Sequence, residues 1–141
     1  MFDVAEYSRW MESARRTLGS AHGDLERGDF NWACFKAHQV AEKALKALLW
    51  GVGAPTPGHS LPKLLNKVRE VLSVEPPQDV YEACIRLNKF YIAARYPNAW
   101  SEGIPEEYYS RSEAEEAIRY AEVVLKWVEG IWRELSRLGG G

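Results

Sequence analysis

Cysteine is scarce in this 141-residue chain: Cys34 and Cys84 are the two present. Two cysteines far apart make neither a disulfide framework nor a zinc-ligand pair. Each lies in a helical apolar pattern, so buried free thiols are expected. Long apolar runs are missing too. The longest, near Leu45–Trp50, is interrupted by Lys46 and ends at Gly51, too short to span a bilayer. The first ten residues, MFDVAEYSRW, carry early charges and no secretory signal. The expected compartment is therefore the cytoplasm, without membrane association. There is no excess of positive charge: 18 Lys and Arg stand against 20 Asp and Glu, for a net charge of −2. That excludes the strongly basic footprint of a general nucleic-acid coat protein. The three histidines, His22, His38 and His59, fall at no metal-ligand spacing, so neither a metal site nor a cofactor is expected. The glycines of Gly51–Gly58 follow no strand and precede no GK[ST], so no phosphate-binding loop of that type exists.

What is present is a globular composition, 46% hydrophobic and 27% charged, suited to one domain with a substantial core. A single domain is expected over residues 1–138, with 139–141 as a flexible glycine tail. The charge is uneven along the chain: residues 1–30, 31–72 and 73–141 carry −2, +4 and −4. The middle third is a candidate anion-facing segment, although a solvated lysine face is the simpler reading.

Apolar spacing reads as helix throughout, and nothing reads as a strand. Val4, Tyr7, Met11, Ala14, Leu18, Ala21 and Leu25 recur at steps of three and four, giving a first helix that ends near Gly28. Asp29 is placed to cap a second helix, with Phe30, Ala33, Ala37, Val40, Ala44, Leu45 and Leu48 on its apolar side. Gly51–Gly58 is a loop. Ser60 then caps a shorter helix carrying Leu61, Leu64, Leu65, Val68 and Leu72, with Pro62 tolerated in the first turn. After Pro76-Pro77 a fourth helix carries Val80, Cys84, Leu87, Tyr91 and Ala94 and stops before Pro97. Ser110 and Glu113 form a capping-box pattern for a last helix, whose apolar stripe runs from Ala114 to Leu135. The expected fold is all-α, an antiparallel up-and-down bundle of four to five helices.

Two places carry chemistry. On the second helix His38, Gln39, Glu42, Lys43 and Lys46 cluster at four-residue spacings. Surface pairing explains them at about 0.2–0.5 kcal/mol per pair, and the functional reading is a strip that meets phosphate or a partner protein. Near the end of the fourth helix Tyr91 and Arg95 share a face. Arg95 favours the helix C-terminus as a cation and also presents a planar fork of donors suited to phosphate. Trp10, Trp50, Trp100 and Trp127 are candidate anchors of an interface between subunits.

The run from Cys34 to Leu48, with His38, Gln39, Glu42, Lys43 and Lys46, resembles the second helix of HEPN domains, the higher eukaryotes and prokaryotes nucleotide-binding family. His59-Ser60-Leu61, Arg95-Tyr96-Pro97 and the alanine-rich last helix from Ser110 resemble it as well, so the likeness spans about Tyr7 to Trp127. The resemblance implies a helical bundle that dimerises. It also implies a toxin–antitoxin-like pairing with a minimal nucleotidyltransferase, or binding of a nucleotide or RNA. Lys43, Lys46, His59 and Arg95 are the candidate phosphate-binding residues, and His38, Gln39 and Glu42 the candidate partner strip. Other family members are metal-independent ribonucleases, in which an arginine is followed after about four to six residues by a histidine that moves the proton. Arg95 matches the arginine, but positions 100, 101 and 102 are Trp100, Ser101 and Glu102. The expectation is a binding module without strong catalysis of its own. The alternative is an endoribonuclease using Arg95 with a relocated histidine, His59 first.

Overall fold

The computed structural model describes residues 2–139, and within them the chain is entirely helical apart from turns and loops. Its helices are α1 (Val4–Arg27), α2 (Phe30–Gly51), α3 (Leu61–Leu72), α4 (Gln78–Asn88), the one-turn α5 (Phe90–Ala93) and α6 (Arg111–Gly139). Two short 3-10 turns, Pro97–Ala99 and Pro105–Glu107, lie in the connection before α6. Local chemistry accounts for most of the boundaries. The carboxylate of Asp3 accepts from the Glu6 amide at the start of α1, and Ser60 and Ser110 accept from Lys63 and Glu113 at the starts of α3 and α6. α1 ends at Gly28, whose φ of 85° is the left-handed conformation glycine adopts without a Cβ penalty. That turn lets the Asp29 amide reach back to the Asp24 carbonyl and sends α2 antiparallel along α1.

α2 is the central helix. It packs against α1, α3, α4 and α6, and so is buried on nearly every side rather than along one stripe. Ala33, Ala37, Ala41, Ala44 and Ala47 are fully buried and let neighbouring helices approach closely. Leu45, Leu48 and Leu49 belong to one core cluster with Met11, Leu61, Leu64, Leu65 and Val128. Cys34 and Cys84 are buried free thiols, both pushed up to about 12 by burial.

Four details differ from the sequence expectation. α2 runs through Gly51, because its last turn is still covered by Tyr7 and Trp132, and the loop begins at Val52. The Asp29 side chain makes no capping bond to the first turn of α2, which its carbonyl alone meets by accepting from the Ala33 amide; its carboxylate faces Arg27 instead. The fourth helix is interrupted at Lys89, so that α5 turns away and carries Tyr91 and Arg95 toward α2. The last helix runs on through Gly139, and 140–141 of the expected tail lie outside the described residues. No helix among the described residues is long and apolar enough to cross a membrane.

Candidate functional site

The second-helix polar residues turn out to be inside the protein. His38, Glu42 and Lys46 are 0%, 5% and 8% exposed, so this strip is a buried network and not a solvated face. Its bonding can be assigned atom by atom. The His38 Nε2 lies 3.0 Å from the His59 carbonyl, which can only accept, so Nε2 carries the hydrogen. Burial pushes His38 down to about 4, which keeps the ring neutral and leaves Nδ1 as an acceptor for the Gln39 amide at 3.1 Å. The Gln39 amide also donates to the Glu42 Oε1 at 3.3 Å. Lys46 donates to the other oxygen of Glu42 at 3.0 Å. Buried charges persist when paired and hydrogen-bonded, and Glu42 and Lys46 satisfy that condition.

Glu42 holds a third partner. The His59 Nδ1 is 3.1 Å from both carboxylate oxygens. Because a carboxylate only accepts, Nδ1 is the protonated nitrogen and Nε2 is left free, on a side chain that is half exposed. The His59 ring lies on Tyr91, with centroids 4.4 Å apart and planes 17° from parallel.

Arg95 meets the same tyrosine. Its guanidinium carbon is 4.3 Å from the Phe35 ring centre, 4.7 Å from that of Tyr91 and 4.9 Å from that of Tyr96. Its Nε donates to the Tyr91 carbonyl at 2.8 Å, and among the described residues no carboxylate pairs with it. The segment that bears Arg95 is tied down at the two carbonyls before it. The buried Asn31 amide donates to Ala94 at 3.0 Å, and the Trp100 indole N–H to Ala93 at 2.8 Å. A guanidinium sandwiched among rings, with its two Nη groups unbonded among the described residues, is prepared to receive an oxyanion. Beside it a groove of about 400 Å³ is lined by His59, Ser60, Asn88, Tyr91 and Ala99.

The candidate residues thus separate into three groups. His59 and Arg95 come together on Tyr91. Lys46 points into the protein, where Glu42 takes its charge and the Trp10 ring centre is 5.9 Å away. Lys43 lies in a different groove, between α1 and α2, with its Nζ 2.9 Å from the Thr17 hydroxyl. Spacing along the chain did not reveal that Phe35 and Tyr96 flank Arg95, or that Asn31 anchors its loop. The signal was there only as unusually frequent aromatic residues. The tryptophans find partners within the chain: Trp10 faces Trp50 at 6.4 Å, Trp100 stacks on Tyr108 at 3.9 Å, and Trp127 packs on the core. Among the described residues no cluster of His, Cys, Asp or Glu is arranged to hold a metal ion.

Compared with known proteins, residues 7–131 match the family model of the HEPN domain. Three solved structures are similar over most of their length. The crystal structure of TT1696 from Thermus thermophilus is 44% identical with a TM-score of 0.84, covering 88% of this chain and 96% of that one. ST0689, described as an archaeal HEPN homologue, is 37% identical with a TM-score of 0.74, covering 88% and 95%. An HEPN domain protein from Thermotoga maritima, tm0613, is 34% identical with a TM-score of 0.71, covering 89% and 98%. No curated protein matches the chain.

Proposed function

The chain belongs to the HEPN domain family, and on that premise we propose that it is a dimeric helical binding module whose Arg95–His59 face takes the phosphate of a nucleotide ligand, in partnership with a minimal nucleotidyltransferase. The observation that carries this reading is Arg95 itself. Its guanidinium is held over Phe35, Tyr91 and Tyr96 and has no carboxylate partner among the described residues. A structural arginine at a helix C-terminus has no need of three rings and a double anchor on the preceding carbonyls. A phosphate-binding arginine benefits from both, because the side chain is ordered before the ligand arrives. The exposed faces of Tyr96 and Ile92 beside it would lie against a base or a partner.

The test is calorimetric titration of the purified chain with adenosine monophosphate, for wild type and Arg95→Ala. A charge-assisted bond contributes about 1.5–3 kcal/mol, so the variant is expected to bind about 10- to 100-fold more weakly. A wild-type chain that binds no nucleotide and draws no nucleotidyltransferase from its own cell extract would falsify the reading.

One observation favours a second reading, metal-independent cleavage of RNA. Glu42 accepts from the His59 Nδ1 and leaves Nε2 free, as required of a group that takes the proton from a 2′-hydroxyl. Arg95 would then stabilise the charge developing on the phosphorane. RNA cleavage that persists in EDTA and disappears in both Arg95→Ala and His59→Gln supports this reading. Cleavage that survives either substitution excludes it.

A further inference from the structure

His59 stands at both ends of the buried network. Its carbonyl lies 3.0 Å from the His38 Nε2 and can only accept, so the hydrogen of the neutral His38 ring is on Nε2. The His38 Nδ1 is therefore an acceptor, and Gln39, 3.1 Å away, turns its NH2 group toward it. The same NH2 group reaches the Glu42 Oε1 at 3.3 Å, while the Lys46 ammonium, which only donates, reaches Oε2 at 3.0 Å. An ionised carboxylate is the form that accepts from both of these donors and from His59 as well. The hydrogen between Glu42 and the His59 ring is thus on Nδ1, 3.1 Å from each oxygen. The bonds run from the backbone of His59 through His38, Gln39 and Glu42 and return to its own ring. Glu42 and Lys46 are buried, so water scarcely competes for these positions.

The consequence falls on the other ring nitrogen. With the hydrogen on Nδ1, Nε2 has a lone pair and no hydrogen, on a half-exposed ring that lines the groove of about 400 Å³. Ser60, Asn88 and Lys89 on the same groove have hydrogens to donate, and the Asn88 side-chain oxygen is already taken by the Leu61 amide. Phosphate oxygens are acceptors too, so they find a partner in the Arg95 guanidinium and none in this Nε2. What Nε2 takes is a donor. The His59 ring centre is 4.4 Å from that of Tyr91 and the Arg95 guanidinium carbon 4.7 Å from it. His59 and Arg95 are therefore within about 9 Å of each other, the two lengths laid end to end. In a sugar phosphate the ring hydroxyls lie nearer the phosphate than the amino edge of a base does, and each hydroxyl has one hydrogen to give.

We infer that Glu42 is the specificity-determining positioning residue of this face: by holding His59 with Nε2 bare, it selects a phosphate monoester that carries a neighbouring sugar hydroxyl, with the phosphate at Arg95 and the hydroxyl donating to His59. This rests on the Arg95 reading above and divides the face between two groups of the ligand.

The experiment has two readouts on the purified chain at about pH 8, above the ordinary histidine value of about 6.5. Long-range proton–nitrogen correlation NMR of protein labelled with ¹⁵N-histidine distinguishes the two neutral tautomers, and the His59 signals are those missing in His59→Gln. Calorimetry compares adenosine monophosphate with 2′,3′-dideoxyadenosine monophosphate, which keeps the phosphate and the base and lacks both ring hydroxyls. Wild type is expected to carry the His59 hydrogen on Nδ1 and to bind the ribonucleotide about 2- to 10-fold more tightly, the effect of one neutral hydrogen bond. In Glu42→Gln, Lys46 keeps the amide oxygen on its side, so the amide hydrogens face His59 and its ring hydrogen moves to Nε2. The preference for the hydroxyl-bearing ligand should then disappear. A merely structural Glu42 would weaken both ligands together and leave their ratio and the tautomer unchanged. A wild type with the hydrogen on Nε2, or with equal affinity for the two ligands, overturns the inference without needing any variant to fold. A folded Glu42→Gln that keeps both the Nδ1 hydrogen and the preference overturns it as well. Arg95→Ala should weaken both ligands by the same factor; that result beside equal wild-type affinities removes the hydroxyl selection alone. If Arg95→Ala weakens neither ligand, or wild type binds neither, the Arg95 reading falls and the inference with it.

Discussion

His38 shows how far the meaning of a residue depends on its burial. In the sequence it is one member of a polar strip; in the fold it is fully buried, bonded to the His59 carbonyl and the Gln39 amide, and pushed from 6.5 down to about 4 by desolvation. The pH consequence has a definite sign. Between these two values the unfolded chain binds a proton that the folded chain refuses, so the unfolded state gains as pH falls. The contribution of neutral His38 is fully present above pH 6.5 and is lost progressively toward pH 4, up to about 3 kcal/mol. Urea unfolding across that range should show wild-type stability falling, and His38→Gln, which keeps a donor for the carbonyl without a titrating ring, should show a shallower fall. Equal slopes in the two proteins would mean that His38 is not the group responsible. Glu42, Lys46 and His59 were likewise visible as a pattern of four-residue spacings and a flanking histidine. Which of them faced solvent was not, because α2 is covered on sides that its own periodicity leaves open.

Among the elements, α2 and the α4–α5 break matter most for the site. α2 extends one residue beyond the expected loop boundary because Gly51 lets α6 approach. A Cβ built at Gly51 would lie 2.5 Å from the Trp132 ring and 3.2 Å from the Tyr7 Cβ, and Trp132 is already stacked on Tyr7 at 3.9 Å. Overpacking of this kind costs about 1–3 kcal/mol, against up to about 1 kcal/mol gained in helix propensity. Gly51→Ala is therefore expected to lower stability by about 1 kcal/mol, read as a lower urea midpoint, whereas an unchanged or higher midpoint would contradict the close approach. Proline and serine positions foretold the starts of α3 and α6. The break at Lys89 had no such marker: Asn88 uses its side chain to accept from the Leu61 amide, and the helix turns at the next residue. That turn brings Arg95 onto Phe35.

For the whole molecule, Tyr96 lies against Arg95 and Trp32 meets the Phe35 ring edge-on, and with Ile92 of α5 they are exposed apolar residues, at 46%, 37% and 51% exposure. Aromatic groups beside an uncommitted arginine are the side chains enriched at interfaces. The homodimer proposed above predicts a sedimentation mass twice the 16.1 kDa of the chain at tens of micromolar, falling toward the monomer in Trp32→Glu. A wild-type chain that stays monomeric at that concentration would remove the dimer from the proposal. The anchors expected from the sequence included Trp100, whose indole holds the Ala93 carbonyl and stacks on Tyr108 within its own chain.

Helix content, the order of the elements and most of their limits were determined by the sequence alone, because they depend on contacts between residues three or four apart and on capping groups next to them. The HEPN resemblance carried by Cys34–Leu48 and Arg95-Tyr96-Pro97 belongs to the same local level. Only the tertiary structure decided that His59 and Arg95 share Tyr91, that Lys46 is consumed by Glu42, and that Lys43 opens onto a different groove. These facts depend on which faces of separate helices meet and on how much water is excluded between them. Desolvation and ring stacking act across distances that no spacing along one helix records.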